Sequence, residues 1–165
     1  IGEDIALRTI LPPDTGYVLA DRGRMEQVIM NLAANARDAM PRGGKLVIET
    51  RNVDLDEAYA RRHPPLVAGQ YVMLAVTDNG TGMDADTQAH IFEPFFTTKE
   101  VNKGTGLGLS ISHHIVQDFN GTIDFWVDDG VGTTFRVALP VAGDEEETTG
   151  SPLSSTASDM GVMHG

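Results

Sequence analysis

Asp78-Asn-Gly-Thr-Gly-Met-Asp84, taken together with Gly104-Thr-Gly-Leu-Gly-Leu-Ser110, decides how this chain is read. The first stretch sets a carboxylate at the end of an apolar run and follows it with glycines at 80 and 82. The second places glycines at 104, 106 and 108 ahead of an apolar-periodic segment. Glycine accepts positive φ and close backbone approach, so such loops can turn N–H groups toward an anion. A helix that begins inside the second loop adds its positive end to the same place. Alternating glycines alone do not separate a phosphate cradle from an ordinary loop. What precedes and follows them does.

Immediately upstream, residues 71–76 form the continuous apolar run expected of a central strand, which delivers Asp78 at its end. Residues 46–53 alternate apolar and polar positions and predict a second strand, joined to the first by a charged, proline-containing excursion with room for one helical turn. Before these comes the best-defined helix of the chain. Asp21 is its expected N-cap, and Met25, Val28, Ile29, Leu32, Ala33, Ala36, Ala39 and Met40 recur at three- and four-residue steps. Pro41 and Gly43-Gly44 stop it. Asn31, Asn35 and Asp38 fall on another stripe of that helix, and asparagine is a poor helix former. Such a stripe is a solvated face or a ligand site, and an amide oxygen of this kind suits magnesium, a hard cation that takes oxygen ligands.

Further out, Ile5, Leu7 and Ile10-Leu11 read as a strand ended by Pro12-Pro13, and residues 17–20 as a short second one. Downstream, Asp84 caps a short helix running to Ile91. Ile91-Phe-Glu-Pro-Phe-Phe-Thr-Thr-Lys99 and the polar residues 100–103 have the character of a mobile lid. A second amphipathic helix covers residues 107–119, with Leu109, Ile111, Ile115, Val116 and Phe119 apolar, and Asn120-Gly121 ends it. Residues 122–127 and 132–139 form a hairpin in which Thr133, Phe135, Val137 and Leu139 share one face. The periodicity dissolves after Pro140, giving an expected domain over 1–140 and an acidic, then Ser/Thr/Gly-rich disordered tail or linker over 141–165.

Composition narrows the function classes. A net charge of −12 argues against sequence-independent nucleic-acid binding, which requires a basic face. The absence of cysteine excludes disulfides and thiolate chemistry, which suits the cytoplasm. No apolar run approaches the ~18 residues of a membrane span, so no membrane contact is expected of these residues. The start at Ile1-Gly2, without methionine, reads as that expected of an excised fragment.

The ordered set Asn31-Leu-Ala-Ala-Asn35-Ala-Arg-Asp-Ala39, Asp78-x-Gly80-x-Gly82, Phe92 through Lys99, Gly104-x-Gly106-x-Gly108 and Gly130-x-Gly132-Thr133 resembles the N, G1, F, G2 and G3 boxes of sensor histidine kinases. Those boxes mark the catalytic ATP-binding domain, of the class shared with gyrase, the heat-shock chaperone ATPase and the mismatch-repair ATPase. The Phe-Phe-Thr-Thr-Lys lid looks most like the nitrogen-regulation and hybrid-kinase branch. The resemblance implies an α/β sandwich of the Bergerat type, a mixed, mostly antiparallel sheet with helices on one face and a mobile ATP lid. The implied cofactors are ATP and Mg2+.

Residue by residue, the resemblance implies that Asp78 accepts a hydrogen bond from the adenine amino group. Gly80, Gly82 and Met83 lie along the base, and Thr133 rather than Thr134 makes the water-mediated adenine contact. Asn35 is the matching magnesium ligand, and Asn31 lies one turn before it, near the phosphates. Asp38 and Arg37 belong to the same box, with Arg37 expected in a surface ion pair. Gly104, Thr105, Gly106, Leu107 and Gly108 wrap the triphosphate, and Thr98 and Lys99 reach it from the lid. The implied catalytic set is Asn31, Asn35 and Lys99.

In the gyrase-like ATPases a glutamate stands four residues before the magnesium asparagine and activates water. Here that position is Asn31, so Mg-ATP is expected to be held with little hydrolysis, its γ-phosphoryl group passing to a histidine on a helical hairpin. That hairpin, a downstream receiver domain of a response regulator and a monomeric state for the isolated domain are the implied partners and assembly. His63, His90, His113, His114 and His164 do not sit in a phosphoacceptor pattern. A gyrase-like ATPase, an anti-sigma-type serine kinase and a non-catalytic nucleotide-binding module remain the alternatives.

Overall fold

The computed structural model describes residues 4–96, 108–128 and 131–142, and the backbone alone of 162–164. The elements in chain order are β1 (Ile5–Ile10), β2 (Tyr17–Leu19), α1 (Arg22–Asp38), β3 (Gly44–Leu55), α2 (Glu57–Arg62), β4 (Gly69–Asp78), α3 (Ala85–His90), α4 (Gly108–Asp118), β5 (Thr122–Asp128), β6 (Gly132–Pro140) and β7 (Val162–His164). Strands β1-β3-β4-β6-β5 make one sheet in that order. β1 runs parallel to β3, and every other pairing in the sheet is antiparallel. The apolar run 71–76 is therefore central, hydrogen-bonded to β3 on one side and β6 on the other.

Local chemistry explains the helix boundaries. Asp21 accepts from the Arg24 N–H at 3.2 Å and caps α1; Asp56 and Asp84 do the same for α2 and α3, from Tyr59 and Thr87. α1 ends at Asp38, earlier than its apolar pattern, because Ala39 caps it and Pro41 cannot continue it. Met40, beyond the end, is still buried.

Strand alternation gives the sheet two faces. Val72, Val76, Ile123, Phe135, Val137 and Leu139 turn toward α1 and α4, where Met25, Val28, Leu32, Ala36, Ile115 and Val116 complete the main core. The opposite face carries Tyr71 and Ala138, which pack with Leu66, Val53, Leu55 and the α2 residue Tyr59. The two long helices thus cover one face as expected, while the six-residue α2 serves the other.

Within the segment read as a tail, Val141 bridges Val18 and the Ala142 N–H donates to the Tyr17 carbonyl at 2.8 Å. Val162–His164 pairs antiparallel with β2. The reason is the open edge of β2, whose backbone groups take further strand partners. Among the described residues no helix is long and apolar enough to cross a membrane.

Candidate functional site

The site lies where the carboxyl end of β4 meets the C-terminal turn of α1 and the first turn of α4. Asp78 closes β4 opposite Thr133 of β6. It is 3% exposed, yet among the described residues no lysine, arginine or histidine forms an ion pair with it. Its carboxylate accepts instead from backbone: the Gly80 N–H at 2.8 Å, and the Thr133 N–H. Burial is the larger influence and pushes its carboxyl above the usual range; the two N–H donors pull the other way. A buried carboxylate held by neutral donors keeps acceptor capacity for an incoming N–H group.

The loop after β4 is seated on α1. The Thr81 N–H donates to the Ala39 carbonyl at 3.0 Å, and that turn of α1 begins at Asn35, whose carbonyl accepts from Ala39. At Gly80 a Cβ would run into the Ala39 carbonyl, so only glycine permits this seating. Gly82 follows with φ 72°, and Met83 packs partly buried against the core, its carbonyl accepting from Gln88 Nε2 at 2.9 Å. Gly132, at φ 134°, brings β6 against the Asp78 carbonyl, closer than any Cβ would allow.

Asn31 and Asn35 have different surroundings. Asn31 Nδ2 donates to the Gly108 carbonyl at 3.1 Å and to Ser112 Oγ at 3.2 Å, tying α1 to α4. The Asn35 side chain, half-buried one turn later, makes no hydrogen bond to the described residues. Its oxygen is thus available to a ligand, and an amide oxygen is a hard donor of the kind that magnesium accepts beside water and phosphate oxygens. Asp38 receives Arg37 in a weak pair at 3.4 Å, the surface pairing expected of Arg37.

Thr133 is buried on the core side of β6, whereas Thr134 spends its hydroxyl on Thr77 at 3.1 Å. Gly108 opens α4 beside Asn31. Thr98, Lys99, Gly104, Thr105, Gly106 and Leu107 lie outside the described residues. The structure therefore brings Asn31, Asn35, Asp78, Gly80, Gly82, Met83, Gly108 and Thr133 to one end of the sheet. Ser112 joins them without having been singled out in the sequence. Its signal is slight: a serine whose position, like that of Ser110, turns out buried beside Ile115 and Val116.

The described histidines have other partners. His63 stacks on Tyr59 with ring centroids 4.0 Å apart, and His90 pairs with Glu93 at 3.0 Å, which raises its pKa. His113 packs 5.2 Å from the Phe92 ring, and burial lowers its pKa, with His114 adding to the effect.

The chain resembles known proteins along most of its length. The family described as "Histidine kinase-, DNA gyrase B-, and HSP90-like ATPase" matches residues 20–143. The sensor kinase CckA of Brucella abortus is 44% identical over 155 residues, covering 94% of this chain and 16% of that protein. The two-component sensor PprA of Pseudomonas aeruginosa is 42% identical over 135 residues, 82% of this chain and 14% of that one. The chain thus spans about a sixth of these relatives. Among solved structures, the catalytic domain of the histidine kinase ThkA superposes with a TM-score of 0.64 at 31% identity, covering 84% of this chain and 80% of that domain. Full-length ShkA, solved in complex with AMPPNP, gives 0.64 at 26% identity, over 84% of this chain and 26% of that one. The five-stranded mixed sheet is that of the histidine kinase catalytic domains, and the chain belongs to the histidine kinase-, DNA gyrase B- and HSP90-like ATPase family.

Proposed function

We propose that this chain is the catalytic ATP-binding domain of a sensor histidine kinase, which holds Mg-ATP and passes its γ-phosphoryl group to a histidine on a phosphoacceptor hairpin outside these residues. The observation that carries the reading is Asp78: a buried carboxylate without a cationic partner among the described residues, fixed by the Gly80 and Thr133 N–H groups at the mouth of the sheet. That arrangement leaves the carboxylate able to accept from an N–H donor such as the adenine amino group.

The remaining roles are part of the same proposal. Gly80 and Gly82 are assigned to close backbone approach beside the base, and Met83 and Thr133 to its neighbourhood. Asn35 would hold magnesium through its amide oxygen, and the ion would supply charge neutralisation to the phosphates. Asp38 completes that end of α1. Gly108 and the α4 start face the phosphates with helix N–H groups. Thr98, Lys99, Gly104, Thr105, Gly106 and Leu107 are assigned to the triphosphate on the sequence pattern. Transfer then depends on positioning and on electrostatic stabilisation of a loose phosphoryl transition state.

Asn31 favours a kinase over an ATPase. Both its amide hydrogens are engaged by α4, and the group offers no base for water. The reading includes a response-regulator receiver domain as the final phosphoryl acceptor, a cytoplasmic setting and a monomeric isolated domain. The test is phosphate release from Mg-ATP, with binding established by calorimetry. Binding with almost no release, followed by labelling of a hairpin supplied in trans, is the expected result. Steady turnover would move the chain to the ATPases, and absence of binding would leave a regulatory or scaffolding role.

A further inference from the structure

The contact between α1 and α4 includes a polar cluster of Asn31, the Gly108 carbonyl and Ser112. Ser112 is fully buried on the α1 side of α4, and Asn31 is half-buried opposite. Asn31 Nδ2 lies 3.1 Å from the Gly108 carbonyl, which can only accept, so the amide must present its nitrogen to α4. Its second hydrogen goes to Ser112 Oγ at 3.2 Å. Both acceptors belong to one turn of α4, and that turn is the helix start. Asn35 stands one turn along α1 from the donor.

We infer that Asn31 and Ser112 form a latch that fixes the start of α4 relative to Asn35, making Asn31 and Ser112 positioning residues for the phosphate end of the site. This rests on the proposed ATP site and deepens it: Asn31 acts on that site through α4. The chemistry also accounts for the residue type. A carboxylate at position 31 has no hydrogen to donate and would set an anionic oxygen against the Gly108 carbonyl. An alanine would leave the buried Ser112 hydroxyl without this partner. Only an amide of this length serves both acceptors. At the far end of the same helix pair, Arg24 meets Asp118 at 2.7 Å and lies 5.4 Å from the centre of the Phe119 ring, so α4 is anchored at both ends and the latch sets the end nearer the ligand.

A positioning role separates the two halves of the nucleotide. Adenosine engages Asp78 on β4, whereas the phosphates meet the α4 start. Asn31→Asp, of equal size, and Ser112→Ala are therefore compared with the unaltered chain for binding of adenosine and of Mg-ATP. The expected result is a roughly fivefold or greater loss for Mg-ATP, the effect of one or two hydrogen bonds, with adenosine binding kept within about twofold. Equal losses for both ligands, or unchanged Mg-ATP affinity, would overturn the role. A second measurement needs no nucleotide. Denaturant unfolding of Asn31→Ala, Ser112→Ala and the double variant should give non-additive losses, the double variant losing less than the sum. Additive losses overturn the latch alone. An unaltered chain that binds neither ligand overturns the functional reading and this role with it.

Discussion

The Gly80 N–H donates to Asp78 Oδ1 at 2.8 Å, two residues back along the chain, so the loop that leaves the strand also holds the carboxylate that ends it. Burial nevertheless dominates and raises the Asp78 carboxyl above its ordinary value. The folded chain then holds this proton more tightly than the unfolded chain. Through this group, stability is fully present below the unfolded value and is lost as pH rises through the folded one. Asp78→Asn removes the titration. The unfolding midpoint of the unaltered chain should gain on that of Asp78→Asn as the pH falls from neutral toward the ordinary carboxylate range, while adenosine binding weakens as the carboxyl takes up its proton. A midpoint difference that stays constant with pH would contradict the assignment.

Gly80 itself tests how tightly the loop is seated. Because a Cβ there meets the Ala39 carbonyl, Gly80→Ala must push the loop off α1. The expected loss is about 1–3 kcal/mol of stability, with weaker adenosine binding, since the Asp78 donor moves with the loop. Gly23 is the control. Its Cβ would meet only the Asp21 side chain, at 3.4 Å, in the first turn of α1, so Gly23→Ala should stabilise by about 0.5–1 kcal/mol through helix propensity. Denaturant unfolding of both variants decides whether the difference lies in contact or in composition.

Much of this arrangement was readable from residues alone, and particular elements show why. α1 announced itself through Asp21 and a long apolar period, both local signals, and β4 through an unbroken apolar run ending in an aspartate. The Asn31–Ser112 contact joins positions 81 apart. Neither partner carries a local mark of it, since serine in a helix is close to neutral in propensity and an asparagine on a polar stripe reads equally as solvated. The side of the sheet chosen by α2 was hidden for a similar reason. Six residues are too few for an amphipathic pattern, and Tyr59 packs there because Tyr71 and Ala138 alternate to that face. The pairing of Val162–His164 with β2 depends on an open strand edge, which sequence does not display.

The core between α1 and the sheet should respond as a close-packed interior. Leu32 is fully buried on α1, and Leu32→Ala leaves a cavity beneath the turn that carries Asn31 and Asn35. The expected loss is about 2–5 kcal/mol. Met30, 66% exposed on the same helix, supplies the comparison: Met30→Ala should change stability by no more than about 0.5 kcal/mol. Comparable losses for the two would mean that the helix is not packed as the structure shows.

Two arginine–aspartate pairs of equal length separate exposure from geometry. Arg24–Asp118 and Arg136–Asp124 each close at 2.7 Å. The first joins side chains 42% and 58% exposed, where solvent screens the charges. The second is bidentate across β5 and β6, with Arg136 Nε at 3.0 Å as well, and its side chains are 27% and 29% exposed. The Arg136 guanidinium also lies 4.9 Å from the centre of the Trp126 ring. Its pKa is raised, first by the hydrogen bond it donates to Asp124, so the guanidinium keeps its charge. A double-mutant cycle to alanine should give about 0.2–1 kcal/mol for Arg24–Asp118 and a clearly larger coupling for Arg136–Asp124. Raising the salt concentration should erode the first and leave most of the second, because screening reaches exposed charges first. Equal couplings would mean that distance alone governs these pairs, and that the fork geometry and the neighbouring ring add nothing.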